Sequence, residues 1–90
     1  MSILKTCKFT QEAWADYLEI KSQDAKMAEK IKKLIQNIMD TPFDGLGKPE
    51  PLKYSLTGCW SRRINQQHRL VYKVVDDGLQ IISCKYNYVK

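Results

Sequence analysis

Cys59-Trp-Ser-Arg-Arg-Ile-Asn65, Arg69-Leu-Val-Tyr-Lys-Val-Val75 and Leu79-Gln-Ile-Ile-Ser-Cys-Lys-Tyr86 decide the fold of this 90-residue chain. Each run is rich in β-branched and aromatic residues. The connectors, Gln66-Gln-His68 and Asp76-Asp-Gly78, have hairpin length and turn chemistry. A shorter run, Leu52–Leu56, joins the first through Thr57-Gly58. Four such segments in succession read as an antiparallel four-stranded meander.

Upstream of the meander the period changes. Phe43-Asp-Gly-Leu-Gly-Lys-Pro-Glu-Pro51 is a loop, and Pro42 forces Thr41 out of the α region. Before it, Met27, Ile31, Leu34, Ile35 and Ile38 form a helical stripe, with Lys26, Lys30, Lys32 and Lys33 off it. Ser22-Gln-Asp24 breaks that helix from an earlier one, in which Trp14, Tyr17 and Leu18 share a face and Thr10 is the N-cap. Ile3–Phe9 alternates loosely as a strand. The expected architecture is α+β: a strand, an antiparallel helix pair, then the meander, with the helices on one face of the sheet. No repeat or linker interrupts residues 1–90, so a single domain is expected.

Charge is segregated. Residues 1–45 carry seven basic and seven acidic residues, whereas residues 46–90 carry eight basic and three acidic, so the net charge of +5 lies in the second half. Between Lys48 and Lys73 stand Lys48, Lys53, Arg62, Arg63, Arg69 and Lys73 against one acid, Glu50. Cations that hold an anion beside one carboxylate suit phosphodiester chemistry. Strand alternation puts Trp60, Ile64, Leu70 and Val74 toward the helices, and Arg63, Arg69 and Lys73 on the open face. Arg62 breaks this pattern and is expected near an edge, its stem along apolar surface. Pro49 and Pro51 stiffen the backbone around Glu50. Trp60 and Tyr72 offer aromatic surface for stacking a base, although parity favours Trp60 in the core. Arginines on an open sheet also serve solubility alone.

Several classes are disfavoured. No apolar run nears the ~18 residues of a membrane span, and the N-terminal segment lacks signal-peptide character, so a cytoplasmic protein with no membrane partner is expected. Cys7, Cys59 and Cys84 have neither disulfide nor zinc spacing. No metal or other cofactor is expected. There is no phosphate-loop motif.

Gly47-Lys-Pro-Glu-Pro-Leu-Lys53, Gly58-Cys-Trp-Ser-Arg-Arg-Ile64 and His68-Arg-Leu-Val-Tyr72, with Glu12-Ala-Trp-Ala-Asp-Tyr17 and Thr41-Pro-Phe43, resemble the YoeB/Txe branch of the RelE toxin superfamily. The resemblance covers nearly the whole chain. It implies a microbial-ribonuclease-like fold and a bacterial type II toxin that cuts messenger RNA in the A site of the 70S ribosome without metal. By position it makes Glu50 the general base and Arg69 the arginine that stabilises the transition-state phosphate. Arg63 and Lys53 become basic residues of the same site, and Tyr88 the near-terminal tyrosine; Lys48, Arg62 and Lys73 would add phosphate contacts. Implied partners are an acidic antitoxin of the YefM/Axe type and operator DNA bound only through that antitoxin. The resemblance also allows a homodimer.

One position departs from the pattern. The branch ends in His-Tyr, that histidine being its general acid, whereas this chain has Asn87-Tyr88. Asparagine exchanges no proton near neutral pH. His68 is one residue out of register with Arg69 and does not replace the missing acid directly. Three accounts of Asn87 stand: a natural variant of altered chemistry, a toxin retained for binding, or a substitution introduced to weaken a toxic protein. The reading that follows most directly is an attenuated endoribonuclease using Glu50, Arg69, Asn87 and Tyr88. The alternative is a non-catalytic co-repressor of its own operon.

Overall fold

The computed structural model describes residues 2–87. Strand β1 (Thr6–Phe9) leads into helix α1 (Gln11–Gln23) and helix α2 (Ala25–Asp40). Then come β2 (Glu50–Pro51), a single 3-10 turn (Tyr54–Leu56), β3 (Trp60–Arg63), β4 (Arg69–Val75) and β5 (Gly78–Tyr86).

Local chemistry sets the helix ends. The Thr10 hydroxyl accepts from the Ala13 amide at 3.1 Å and caps α1. Asp24 closes α1 through its own amide to Ile20 and opens α2 by accepting from Met27, so the break is one residue rather than three. The α2 stripe packs as its periodicity requires: Ile31, Leu34 and Ile38 are buried, while Lys26, Lys30, Lys32 and Lys33 are exposed. On α1 the outcome differs. Ala13, Tyr17 and Ile20 face the core, while Trp14 and Leu18 remain half exposed. Trp14 instead stacks on Tyr17 and meets Phe9 edge-on.

The sheet has five strands in the order β1-β5-β4-β3-β2. β1 runs parallel to β5 and the remaining pairs are antiparallel, so the sheet is mixed. The strand expected over Leu52–Leu56 is corrected. Pairing stops at Pro51, because Tyr54 adopts a left-handed backbone (φ 59°) that no strand accommodates. Pro51, lacking an N–H, suits its place on the edge strand β2. The core lies between helices and sheet, with Ile64, Leu70, Tyr72, Leu79, Ile81 and Cys84 meeting Tyr17, Ile31 and Leu34.

Candidate active site

Three cross-strand rungs build the open face. Glu50 pairs with Ser61, Ser61 with Val71, and Arg63 with Arg69. Residues directly opposite share a face, so Glu50, Ser61, Arg63 and Arg69 all project from the side without helices. Arg69 Nη1 lies 3.7 Å from Glu50 Oε1 and donates to Ser61 Oγ at 3.3 Å. The Arg69 side chain is mostly buried and Glu50 about half exposed, so a fixed cation stands beside a solvent-accessible carboxylate.

Strand β5 brings in a residue that alternation alone does not. Its pairing with β4 slips twice, between the Tyr72 and Val71 rungs and between those of Val71 and Arg69. Continued from the Tyr72–Ile81 rung without slips, the ladder would set Cys84 opposite Arg69; the slips set Tyr86 there instead. They also turn Cys84 inward, where its thiol meets the Ala13 carbonyl. Burial, reinforced by Asp16, pushes that thiol up to about 12, so it carries no nucleophilic chemistry at neutral pH.

Beside the Glu50–Arg69 pair, Glu50, Lys53, Tyr54, Leu56 and Tyr86 line a groove of about 590 Å³. Lys48, Lys53 and Arg63 are exposed and Lys73 is half-buried. Lys48 has φ 51° and follows Gly47 with φ 78°. A Cβ on Gly47 would stand 3.0 Å from both the Arg63 carbonyl and Leu34 Cδ2, and the Gly47 carbonyl accepts from the Arg63 amide at 2.6 Å. Glycine is therefore required where the loop docks on β3, just ahead of Glu50.

Arg62 is corrected. It lies neither at an edge nor in reach of phosphate, but is wholly buried on the helix side of the sheet. Its Nε donates to the Tyr72 hydroxyl at 3.1 Å, and Nη1 to Asn37 Oδ1 at 2.7 Å and the Leu46 carbonyl at 2.8 Å. Nη2 donates to the carbonyls of Thr41 at 2.7 Å and Asp44 at 3.0 Å. All five guanidinium N–H groups are thus spent on protein acceptors. The cation sits at the C-terminal end of α2, where the helix dipole favours positive charge. It ties the loop carrying Lys48 and Glu50 to the sheet.

Asn87 is exposed just beyond β5, and Tyr88 lies outside the described residues. His68 belongs to the β3–β4 turn, where its amide donates to Asn65 Oδ1 at 2.7 Å. Its Nδ1 is buried without a hydrogen-bond partner. Ser61 and Tyr86 were not singled out from the sequence. Parity with Arg63 would have found Ser61, whereas Tyr86 depends on the bulges. Among the described residues no group of three or more His, Cys, Asp or Glu side chains could hold a metal ion. No helix among them is long and apolar enough to cross a membrane.

A helix pair on one face of a five-stranded mixed sheet is the fold of the small RelE-like toxins. A family profile described as the YoeB-like toxin of bacterial type II toxin–antitoxin systems matches residues 9–88. The toxin YoeB of Synechocystis sp. is 54% identical over 80 residues, spanning 89% of this chain and 93% of its own. A YoeB/ParE toxin from Agrobacterium tumefaciens superposes with a TM-score of 0.91 at 46% identity, over 93% of this chain and 100% of its own. YoeB in a heterotetrameric YoeB–YefM toxin–antitoxin complex from Staphylococcus aureus gives 0.85 at 46% identity, over 94% and 98%. The chain belongs to the YoeB-like toxin family of bacterial type II toxin–antitoxin systems.

Proposed function

We propose that this chain is a ribosome-dependent messenger-RNA endonuclease acting by metal-independent acid–base chemistry. The observation that carries this reading is the Glu50–Arg69 pair on the open face, held beside Ser61 and flanked by the exposed Arg63. Glu50 accepts the proton of a ribose 2′-hydroxyl. The 2′-oxygen attacks the adjacent phosphorus, and the bond from phosphorus to the 5′-oxygen breaks. A 2′,3′-cyclic phosphate forms, which water can open to the 3′-phosphate. Arg69 and Arg63 offset charge on the phosphoryl oxygens as it builds. Lys48, Lys53 and Lys73 supply longer-range attraction for the backbone. The departing 5′-oxygen takes its proton from water, since the amide of Asn87 has none to give; Asn87 and Tyr88 orient the phosphate. Cleavage is correspondingly slow.

The test is cleavage of message on programmed 70S ribosomes, with the 5′ ends of the products mapped. The wild type is expected to cut in the A site and Glu50→Gln to cut roughly 10²–10⁴-fold more slowly. No cleavage by either the wild type or Asn87→His would overturn the enzymatic reading.

Asn87 itself favours a second reading, a non-catalytic co-repressor that keeps the antitoxin surface and loses turnover. In both readings the partner is a YefM-type antitoxin, as in the Staphylococcus aureus complex. An acidic segment that orders on binding suits the basic face and would cover Arg63 and Arg69. Operator DNA is reached only through that complex, and a homodimer is compatible with either reading. Cooperative repression without cleavage, read by operator gel-shift with and without the antitoxin, would select the co-repressor.

A further inference from the structure

Tyr54 is the anomaly of this surface. Its side chain is 91% exposed, on a backbone with φ 59°. A large ring in water gains nothing for folding, and the left-handed conformation suits Gly or Asn better than Tyr. Both choices are unfavourable locally, and strain of this kind persists where function uses it. The turn that aims the ring is firmly held. The Tyr54 carbonyl accepts from the Thr57 amide at 3.0 Å and from its hydroxyl at 2.7 Å.

The ring stands on the wall of the groove that also holds Glu50, Lys53 and Tyr86. At about 590 Å³ the groove is of small-ligand size. The two rings the sequence offers for stacking are occupied: Tyr72 is wholly buried, and Trp60 packs on the core and on Phe43, with ring centroids 4.9 Å apart. Tyr86 shares the groove but is half-buried opposite Arg69, which leaves Tyr54 as its most exposed ring. We infer that Tyr54 is a stacking platform for a nucleobase of single-stranded RNA, seated in this groove next to the phosphate held at Arg69. This rests on the endonuclease reading and deepens it. Lys53, the neighbour of Tyr54, supplies a cation for the same nucleotide's backbone. Stacking is tolerant of sequence, because every base has a π-face. The platform therefore raises affinity for any unpaired nucleotide rather than choosing one.

The test uses 70S ribosomes programmed with a message whose A-site codon carries 2-aminopurine and 2′-O-methyl groups, so that it cannot be cut. Wild-type protein should bind and quench the fluorophore. Tyr54→Ala and Tyr54→Asn should bind about 5- to 100-fold more weakly, with the quench lost. Tyr54→Phe should behave as wild type. Asn relieves the backbone strain, so Tyr54→Asn should unfold at or above the wild-type temperature, which separates lost binding from lost structure. Equal affinity and quench in wild type and Tyr54→Asn would overturn the platform alone. So would a Tyr54→Phe variant as weak as Tyr54→Asn, since a hydroxyl contact would then be responsible. Weaker binding of antitoxin in Tyr54→Asn, with RNA binding unchanged, would reassign the ring to the antitoxin. A wild type that neither binds nor cuts ribosome-bound message would overturn the RNA reading and the platform with it.

Discussion

Arg62 Nε donates to the Tyr72 hydroxyl at 3.1 Å, and that hydroxyl donates to the Pro42 carbonyl at 2.7 Å. The pair joins two adjacent strands to the loop after α2, on the buried side of the sheet. Tyr72→Phe removes the link and leaves Arg62 Nε and the Pro42 carbonyl unpaired. A buried polar group left unsatisfied costs about 1–3 kcal/mol, and this falls mainly on Arg62, because Pro42 is only part-buried and water can take over its carbonyl. Urea unfolding of Tyr72→Phe should show a loss in that range. Arg62→Met removes four further hydrogen bonds; the Leu46 and Thr41 carbonyls lose their donor, while Asn37 Oδ1 and the Asp44 carbonyl keep the Leu46 amide and the Thr41 hydroxyl, and the loss should be larger, on the order of 3–5 kcal/mol. If Arg62→Met keeps its stability and only RNA affinity falls, the structural role assigned to Arg62 is wrong.

On the open face the expected pattern is the reverse. Glu50 and Arg69 sit 3.7 Å apart with Glu50 half exposed, and such pairs contribute about 0–1 kcal/mol to stability. Glu50→Gln should therefore fold like the wild type. Removing a general base should lower single-turnover cleavage by roughly 10²–10⁴-fold. Arg69→Lys keeps the charge but loses the planar fork that meets Ser61 and Glu50 and, on the proposed mechanism, the phosphate. A substantial loss of rate at unchanged unfolding temperature would locate its role in the chemistry. Coincident losses of rate and stability would place the pair in the scaffold.

Gly47 makes a sharper test of how the site is built. Gly47→Ala introduces a Cβ 3.0 Å from the Arg63 carbonyl and from Leu34 Cδ2, at a φ of 78°. Strain and overpacking each cost about 1–3 kcal/mol. Thermal unfolding should record the loss. Because Gly47 docks the segment that leads to Glu50, cleavage should fall by more than the unfolded fraction explains.

The alkaline limb of stability follows from two buried groups. Burial, then Asp16, raises the Cys84 thiol from 9.0 to about 12, and burial raises Tyr72 against the opposing pull of Arg62. For Cys84 the folded state holds its proton where the unfolded chain has released it. Its contribution is fully present below about pH 9 and is lost as pH rises through about 12. Chemical unfolding at about pH 8, 9.5 and 10.5 should show falling stability, and Cys84→Ala should flatten that fall. At about pH 8 iodoacetamide should modify the half-exposed Cys59 well before Cys84.

Where the sequence was legible, and where it was not, comes down to reach. Turn residues and strand period are local, so β3, β4, β5 and the helix pair could be read from them. The shared face of Arg63 and Arg69 needed only alternation, whereas Glu50, read as loop, reaches that face through the short strand β2 and its pairing with Ser61. Arg62 was misplaced because its acceptors come from Asn37, Thr41, Asp44, Leu46 and Tyr72, scattered along the chain where no periodicity connects them. Alternation along β3 sets it beside Trp60 and Ile64 on the core side, where its five hydrogen bonds make burial of the charge tolerable. Tyr86 was missed because two slips in β5 override the alternation. The positive φ of Tyr54 ended a strand that composition alone continued.

Asn87 carries the last prediction. It is exposed at the end of β5, one residue past Tyr86, which faces Arg69. On the proposed mechanism, replacing it with histidine supplies a proton donor for the departing 5′-oxygen. Asn87→His should raise the cleavage rate on programmed ribosomes by roughly 10²–10⁴-fold. It should also change the pH profile. With Asn87 no side chain at this position exchanges a proton, so the rate should show no fall at higher pH. In the Asn87→His variant the introduced acid must be protonated, so the rate should fall above the imidazole's ordinary pKa of about 6.5. A descending limb for Asn87→His against none for the wild type would assign the acid to this position. A rate gain without the descending limb would mean that the imidazole only orients the phosphate. No gain at all would mean that proton donation to the 5′-oxygen is not what limits this protein.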